Sequence, residues 1–241
     1  MSPPDVSICM ATRNHAMYIE DALESLRRQT LDSVRFEVIV IDDGSTDETR
    51  NILLNWVPWI RMVSRENRGL VPSCNEGLAL SRGRYFARLD SDDLVDSSWL
   101  ESMVAALDAR PHACLAFPDR LVMERQSTRR VSASADNVYS LEACGTLFRA
   151  DTLRHAGGFR AFYWEEYDLY ARLRSMGEWT HVPLPLYVYR KHESSMTSRA
   201  ADRLDGWRQL AGEWGADTLR SLGSSGELDQ ALAVLEREAV K

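Results

Sequence analysis

The sequence predicts an α/β fold, with a mostly parallel sheet flanked by helices and a helical C-terminal tail. Short apolar runs alternate with amphipathic helical stretches between Val6 and Leu89, which is the pattern of βαβ units on a parallel sheet. The chain has 241 residues, 44% of them hydrophobic, which is enough for one domain with a substantial core. Polar residues gather directly after three of the apolar runs, where open α/β sheets bind their ligands.

The first half of the chain carries the regular alternation. The predicted strands are, in order, "VSICM", "FEVIVI", "IRMV", "RYFARL" and "ACLAF". Apolar residues at helical spacing predict a first helix, with a face formed by Ile19, Ala22, Leu23 and Leu26. A second helix should follow a capping box of Ser45 and Glu48, with an apolar face formed by Ile52, Leu53 and Trp56. Two further helices are expected over residues 72–80 and 97–109.

The pattern weakens beyond Pro118. The run "LVMERQSTRRVSASADNVYS" predicts an edge ribbon or a loop, and "GTLFR" predicts another short strand. The run "EEYDLYARLRSMG" predicts a helix with Leu169, Leu173 and Met176 on one side and Gly177 as its C-cap. "THVPLPLYVYRKH" predicts an extended segment interrupted by prolines. We expect one domain over residues 1–200, extended by two helices over residues 201–241.

Composition argues against several classes of protein. The net charge is −7, from 29 Lys and Arg against 36 Asp and Glu, which argues against a nucleic-acid partner. No apolar run approaches the roughly 20 residues that span a bilayer, and "MSPPDVSI" lacks the regions of a signal peptide, so we expect a cytoplasmic protein. The four cysteines form no CxxC pair, which predicts buried free thiols rather than a zinc site or a disulfide framework.

Polar side chains follow three of the predicted strands. They are Thr12, Arg13 and Asn14 after the first, Asp42 and Asp43 after the second, and Asp90, Asp92 and Asp93 after the fourth. In a parallel sheet these groups face the same edge and can surround one site. A hard divalent cation such as Mg²⁺ or Mn²⁺ would offset the repulsion between the carboxylates. A solvated turn or an acidic helix N-terminus is the alternative for each acidic run.

Several motifs occur in order along the chain: "TRN", "VIVIDDGSTDET", "ENRGLVPSCNEGL", "GRYFARLDSDD", "GGF", "EEYDL" and "YRKHESSMT". Together they resemble the motifs of family 2 glycosyltransferases, and the resemblance covers about residues 5–200. It implies the Rossmann-like GT-A fold, with a nucleotide-binding part over about 1–117 and an acceptor-side part over 118–200. It also implies an inverting enzyme that moves a sugar from a nucleotide diphosphate sugar to an acceptor hydroxyl, in cell-surface glycan or polysaccharide synthesis.

The family's site residues carry over by position. Those that would bind the nucleotide sugar are Thr12, Arg13, Asp43, Arg68, Asp90 and Asp92. Asp92 and His192 would hold Mn²⁺ or Mg²⁺, which neutralises charge on the departing diphosphate. Glu166 matches the catalytic base that accepts the proton of the attacking hydroxyl. Trp164 and Glu165, just before it, are candidate acceptor contacts.

Two departures from the family's pattern bear on specificity. Ala11, Thr12 and Arg13 stand where the family often has Pro, Thr and Tyr, so a guanidinium that can stack on a base replaces an aromatic ring. A UDP-sugar is the expected donor, with guanosine and thymidine nucleotides as alternatives. Glu166 stands where the family usually has Asp, and Glu165 is the alternative base. The acceptor would be a saccharide or a lipid-linked saccharide, which implies transient contact with the inner face of a membrane.

Three other interpretations fit parts of the sequence. An aspartyl phosphatase needs Asp-x-Asp after its strand, whereas "IDDGST" supplies Asp42, Asp43 and then Gly44. A nucleotidyltransferase typically has a Gly-rich stretch near the N-terminus, and "ICMATRN" is not Gly-rich. A catalytically inactive nucleotide- or glycan-binding relative is the alternative of a different class. The joint presence of Asp90, Asp92, Glu166 and His192 favours an active enzyme.

Overall fold

The structure, a computed structural model, describes residues 3–125, 127–193 and 200–239. Its strands are β1 (Val6–Thr12), β2 (Phe36–Asp42), β3 (Arg61–Ser64), β4 (Tyr85–Arg88), β5 (Leu94–Val95), β6 (Ala113–Glu124), β7 (Ser127–Val131), β8 (Leu147–Arg149) and β9 (Glu178–Lys191). Its helices are α1 (Ile19–Arg27), α2 (Thr49–Leu54), α3 (Leu70–Leu80), α4 (Trp99–Asp108), α5 (Ala150–His155), α6 (Glu165–Leu173), α7 (Ala200–Trp214), α8 (Ala216–Ser221) and α9 (Gly226–Ala239).

All of these strands join one sheet, in the order β3-β2-β1-β4-β8-β6-β9-β5, with β7 paired to the outer part of β6. The first four strands of that order are parallel. Thr12 at the end of β1 is opposite Asp42 at the end of β2, so their carboxyl ends meet at one edge. Strand β8 runs antiparallel to both β4 and β6, whereas β9 runs parallel to β6. The predicted α/β fold is confirmed, and every antiparallel pairing among the described strands involves β7, β8 or β9.

Helices cover both faces of the sheet because successive strand residues point to opposite sides. In β1, Ile8 and Met10 pack into a cluster with helices α1 and α4, whereas Cys9 and Ala11 pack on the opposite side with α3. All four cysteines are buried and free, as the sequence predicted. Each face therefore has its own apolar core, and the ligand edge lies between them.

The C-terminal helices belong to the second of these cores. Trp207 and Leu210 of α7, Leu219 of α8 and Leu228 of α9 are buried in the same apolar cluster as Trp164. Within the described ranges, no helix combines the length and the apolarity needed to cross a membrane. The tail therefore packs directly against the segment that carries the paired glutamates.

Three local predictions were wrong. The proposed capping box does not form: α2 begins at Thr49 after Glu48, which makes no side-chain cap, because the Ser45 N–H is already taken by Asp42 Oδ1 at 3.0 Å. Helix α6 ends at Leu173 with Arg174 as its C-cap, so Gly177 lies beyond it. Met176 is 38% exposed rather than part of the apolar face. The alternative of an edge ribbon after Pro118 is correct, since β6 and β7 form a hairpin.

Candidate active site

A cavity of about 830 Å³ opens where the carboxyl ends of β1, β2 and β4 meet. Eight of the residues proposed from the sequence line it: Thr12, Arg13, Asp43, Asp90, Asp92, Trp164, Glu165 and Glu166. The first five come from the strand ends of the parallel half, and the last three from the start of α6. The cavity is thus lined both by the predicted sheet edge and by the segment that carries Glu165 and Glu166.

Asp43 forms a well-defined set of contacts at the end of the cavity formed by β1 and β2. Its carboxylate accepts hydrogen bonds from the backbone N–H groups of Arg68 at 2.9 Å and Gly69 at 2.8 Å. It also pairs with the Arg65 guanidinium, which is further bound by Glu76 at 2.7 Å. Gly69 has a φ of 96°, a conformation that side-chain-bearing residues rarely adopt. This turn before α3 aims two N–H groups at one carboxylate.

Arg65 was missed by the sequence analysis, whereas Arg68 was named and contributes its backbone N–H to the contacts of Asp43. It is the backbone of Arg68 that meets Asp43, while its side chain is exposed and does not line the cavity. Arg65 directly follows β3, three residues before Arg68, and this position after a strand could have identified it from the sequence. As with Asp43, the residue that follows a parallel strand lies at the candidate site.

Thr12 has a buried hydroxyl with an unmet hydrogen-bonding capacity. The residue is 3% exposed, and its Oγ1 has no hydrogen-bond partner. A buried hydroxyl without a partner costs free energy, which a polar ligand atom in the cavity would relieve. Arg13 beside it is exposed at the rim.

The acidic run after β4 folds into a tight turn. The Asp93 N–H donates to the Asp90 carbonyl oxygen at 3.1 Å, and oxygen atoms of Asp90, Asp92 and Asp93 lie within 4.8 Å of one another. Asp93 is buried and accepts hydrogen bonds from the Tyr187 hydroxyl and from the Arg190 N–H at 2.7 Å. Burial, with the charges of Asp92 and Asp90, raises the pKa of Asp93 well above its usual value. Asp93 thus anchors the turn to β9, which leaves Asp90 and Asp92 to face the cavity.

His192 reaches this turn from the end of β9. Its Nε2 lies 2.9 Å from Asp92 Oδ2, and its ring stacks on Tyr18 at 4.7 Å between centroids. Carboxylate oxygens with an imidazole nitrogen form a donor set that suits Mn²⁺ or Mg²⁺. Asp92 and His192, brought together from positions a hundred residues apart, therefore fit a divalent cation, with Asp90 beside them.

A buried arginine connects the two ends of the cavity. Arg88, at the end of β4, is 5% exposed. Its guanidinium lies 3.2 Å from Asp90 Oδ1 and 2.6 Å from Glu165 Oε1. One guanidinium thus pairs with an acid of the acidic turn and with the first glutamate of α6.

Glu166 has different surroundings from Glu165. It is half-buried and lines the cavity, and among the described residues it forms no ion pair. Burial, followed by the charges of Glu165 and Glu142, raises the pKa of Glu166 well above its ordinary value. A carboxylate with a raised pKa is a stronger proton acceptor than an ordinary one.

Glu142 also faces this end and was missed by the sequence analysis. Its carboxylate lies 3.2 Å from Arg120 Nη2, and burial raises its pKa. It lies in "SLEACG" before β8, a segment without a motif, and β8 reaches the site through antiparallel pairing with β4. Sequence spacing carried no signal for this contact.

The fold and this site together define a glycosyltransferase-like protein, and the family comparison agrees. The model of the family described as "Glycosyl transferase family 2" matches residues 7–168, so the chain belongs to this family. An uncharacterized glycosyltransferase of Haemophilus influenzae is 37% identical over 113 residues, 45% of this chain and 34% of that relative. The chondroitin synthase of Escherichia coli is 28% identical over 215 residues, 83% of this chain and 31% of that relative. The chain spans about a third of the length of these relatives.

Solved structures share the fold. TarS 1-349 of S. aureus, in complex with UDP-GlcNAc, has a TM-score of 0.75 and 20% identity, over 90% of this chain and 70% of that one. The mannosyltransferase PcManGT of Pyrobaculum calidifontis, in complex with GDP-Man and Mn²⁺, has a TM-score of 0.68 and 18% identity, over 99% of this chain and 80% of that one. The GT-A fold that the motifs implied is confirmed.

Proposed function

We propose that this protein transfers a sugar from a nucleotide diphosphate sugar to an acceptor hydroxyl, with inversion, in polysaccharide or surface-glycan synthesis. The observation that carries the proposal is the single cavity lined both by Asp90 and Asp92 and by Glu166. Transfer in one displacement needs a charge-stabilising group behind the leaving diphosphate and a base in front of the attacking hydroxyl. Both kinds of group border the same space here.

The nucleotide would occupy the end formed by β1 and β2. Asp43 has its Oδ2 bound by one N–H group, so this oxygen retains acceptor capacity for a nucleobase N–H. The unpartnered Thr12 hydroxyl supports a second polar contact there. Arg13 at the rim would stack on the base or meet a phosphate.

The diphosphate would lie at the acidic turn. We assign the metal ligands as Asp92 and His192, with Asp90 beside them, because their oxygen and nitrogen atoms converge while Asp93 is engaged by Tyr187 and Arg190. A bound Mn²⁺ or Mg²⁺ would neutralise the charge that develops on the leaving diphosphate. The mannosyltransferase PcManGT was solved in complex with Mn²⁺, which supports a divalent cation as the cofactor.

We assign Glu166, rather than Glu165, as the base. Glu165 is 2% exposed and paired with Arg88 at 2.6 Å, so its carboxylate is already occupied by an ion pair. Glu166 lines the cavity and has the raised pKa. It can therefore accept the proton of an acceptor hydroxyl as that oxygen attacks the anomeric carbon on the face opposite the diphosphate. One base suffices for a single displacement, so we expect no covalent sugar, in agreement with the inversion that the family resemblance implies.

The acceptor belongs to the same proposal. We infer a saccharide, free or linked to a lipid, and the relation to a chondroitin synthase supports a polysaccharide product. A lipid-linked acceptor would bring the protein to the cytoplasmic face of a membrane. Cosedimentation with anionic liposomes, with and without a lipid-linked saccharide, tests this point, and no sedimentation above the liposome-free control in either case would contradict it.

The first experiment is a thermal-shift panel of UDP, GDP and dTDP with and without Mn²⁺. A ligand at about 100 times its Kd adds roughly 2.7 kcal/mol, which moves the Tm of a chain this size by several degrees. We expect a Mn²⁺-dependent shift with one nucleotide. The shift should be lost in Asp92→Ala and retained in Asp151→Ala, whose carboxylate is 89% exposed on α5.

Sugar transfer is then measured as release of the nucleoside diphosphate from the matching donor sugars. Nucleotide binding without any release, with or without saccharide acceptors, would support the inactive binding relative instead. Absence of every shift would contradict the proposed function.

A further inference from the structure

We infer that the acceptor end of the cavity is a subsite for an uncharged, hydroxyl-bearing saccharide, that it excludes uronic acids, and that α7 and α9 form part of its wall. The inference rests on the proposed function, because it names the class of acceptor for the same cavity. It also gives a role to residues 200–239, which carry no motif of their own.

The wall begins with a stack of aromatic rings. Tyr167 of α6 lines the cavity, and its ring stacks on Trp207 of α7 at 5.5 Å between centroids and 15° between planes. Trp164 stacks on the same tyrosine at 5.6 Å. A rigid aromatic ring at a cavity surface suits the apolar C–H face of a pyranose, while nearby polar groups select its hydroxyls.

Helix α7 is fixed tightly against this stack. The Trp164 indole N–H donates to the Arg203 carbonyl oxygen at 3.3 Å, and the Tyr163 N–H donates to Gln209 Oε1 at 3.1 Å. A Cβ added to Gly206 would lie 2.8 Å from the Tyr163 Cβ and 2.9 Å from the Trp164 Cδ1. Only a glycine allows the helix to come this close, so the position of the wall is set by the packing of α7.

An ion pair between two C-terminal helices borders the opening of the cavity at this end. Arg203 of α7 and Glu227 of α9 both line the cavity, and their side chains meet at 2.9 Å. Glu227 is exposed at the rim. A saccharide that extends out of the cavity would pass this pair.

The charge balance of the acceptor end is negative. Arg88, Arg120 and Arg203 approach it, and each already faces a carboxylate: Glu165, Glu142 and Glu227 respectively. The charge of Glu166 is left without a guanidinium partner among the described residues. A uronate carboxylate would enter beside Glu166 and Glu142 in a water-poor space, where like charges repel strongly. Neutral hydroxyls, in contrast, can donate to these carboxylates.

Binding of matched glycosides tests the inference without knowledge of the donor sugar. The protein is loaded with Mn²⁺ and the nucleotide that gives a thermal shift. Its Kd is then measured by saturation-transfer NMR for p-nitrophenyl β-glucoside and β-galactoside and for the corresponding glucuronide and galacturonide. We expect at least one neutral glycoside to bind about tenfold or more tightly than its uronide.

Single substitutions distinguish the effect of the cavity charges on binding from a general effect on folding. Glu166→Gln and Glu142→Gln should each narrow the ratio between neutral and uronide Kd to about threefold or less, because each removes one negative charge. Tyr167→Ala should weaken the neutral glycoside about tenfold or more while it keeps the nucleotide-dependent thermal shift. Glu236→Gln, on the outer side of α9 and paired with Arg220 at 2.5 Å, should leave every Kd unchanged.

Two results would overturn the inference. One is a uronide that binds as tightly as its neutral parent, or more tightly. The other is no binding of any of the four glycosides. If no nucleotide shifts the Tm, the proposed function fails, and the same titrations without nucleotide still decide whether the subsite distinguishes neutral from acidic glycosides.

Discussion

The two ends of the cavity handle negative charge in opposite ways. At the nucleotide end, Asp43 is surrounded by two backbone N–H groups and a guanidinium, so its charge is stabilised before any ligand binds. At the acceptor end, burial raises the pKa of both Glu142 and Glu166, and the charges of Glu165 and Glu142 raise the pKa of Glu166 further. The first arrangement favours rigid recognition, and the second favours proton transfer. One cavity thus holds a carboxylate whose charge is stabilised and a carboxylate whose charge is not, because their surroundings differ.

The largest expected difference between the two ends is kinetic. Glu166→Gln removes the base, so we expect kcat to fall by about 10²–10⁴-fold while the donor KM stays unchanged. In the wild type, kcat should fall as the pH drops through the raised pKa of Glu166, above the range of an ordinary glutamate. Initial rates of nucleoside diphosphate release measure both. Normal transfer by Glu166→Gln would remove Glu166 from the mechanism, and Glu165→Gln would then be tested as the base.

The opposite kinetic pattern is expected at the nucleotide end. Asp43→Asn keeps the shape of the side chain but removes the charge that Arg65 and two N–H groups bind. We expect the donor KM to rise about 10–100-fold, since a hydrogen bond to a charged group contributes roughly 1.5–3 kcal/mol, with kcat reduced far less. A fall in kcat at constant KM would show that Asp43 acts on the chemical step instead.

A smaller effect should follow from the packing of α7. Gly206→Ala places a methyl group against Tyr163 and Trp164, and we expect a loss of about 1–3 kcal/mol of folding free energy, together with slower transfer. Gly212→Ala is the matched control, because nothing lies within 4 Å of its added Cβ and a helical alanine is favoured over glycine. Urea unfolding followed at Trp fluorescence measures both. Equal stabilities of the two variants would contradict the close contact of α7.

The smallest expected effect is on stability and depends on pH. The folded protein raises the pKa of Glu166, so this group favours folding below its unfolded pKa, and that contribution is lost as the pH rises through the folded value. Glu166→Gln should therefore raise the Tm at neutral pH by a few degrees, since about 1 kcal/mol corresponds to roughly 2–4 °C here. The difference should vanish toward pH 4. Thermal melts across that range measure it, and a lower Tm at neutral pH would contradict the desolvation of Glu166.

The sequence placed residues of the strand ends at the cavity but missed Glu142 and Tyr167, for a structural reason. Asp43, Asp90 and Asp92 each follow a parallel strand directly, and the register of such strands aligns their ends. Glu142 and Tyr167 reach the cavity through antiparallel insertion of β8 and through packing of aromatic rings. Neither arrangement has a fixed spacing along the chain. Residues 200–239 show no motif because they contribute to the cavity wall through the packing of helices.

Strand β9 also differs from its sequence-based prediction. Its prolines suggested an interrupted segment, yet it forms one strand from Glu178 to Lys191. The irregular register with β6, with shifts around Asp119, accommodates residues that cannot donate to the ladder. Local propensity was overruled by pairing with a neighbour more than fifty residues away. The end of this strand then delivers Tyr187 and Arg190 to the acidic turn.

The insertion of β8 beside β4 has a consequence for the order of events during synthesis on the ribosome. The parallel strands β1 to β4 emerge first and can fold through contacts that are short in sequence. Glu166 and the α7 wall emerge at least seventy residues later, and the β9 residues that hold the acidic turn, Tyr187 and Arg190, emerge later than Glu166. The cavity can therefore be completed only after most of the chain has left the ribosome.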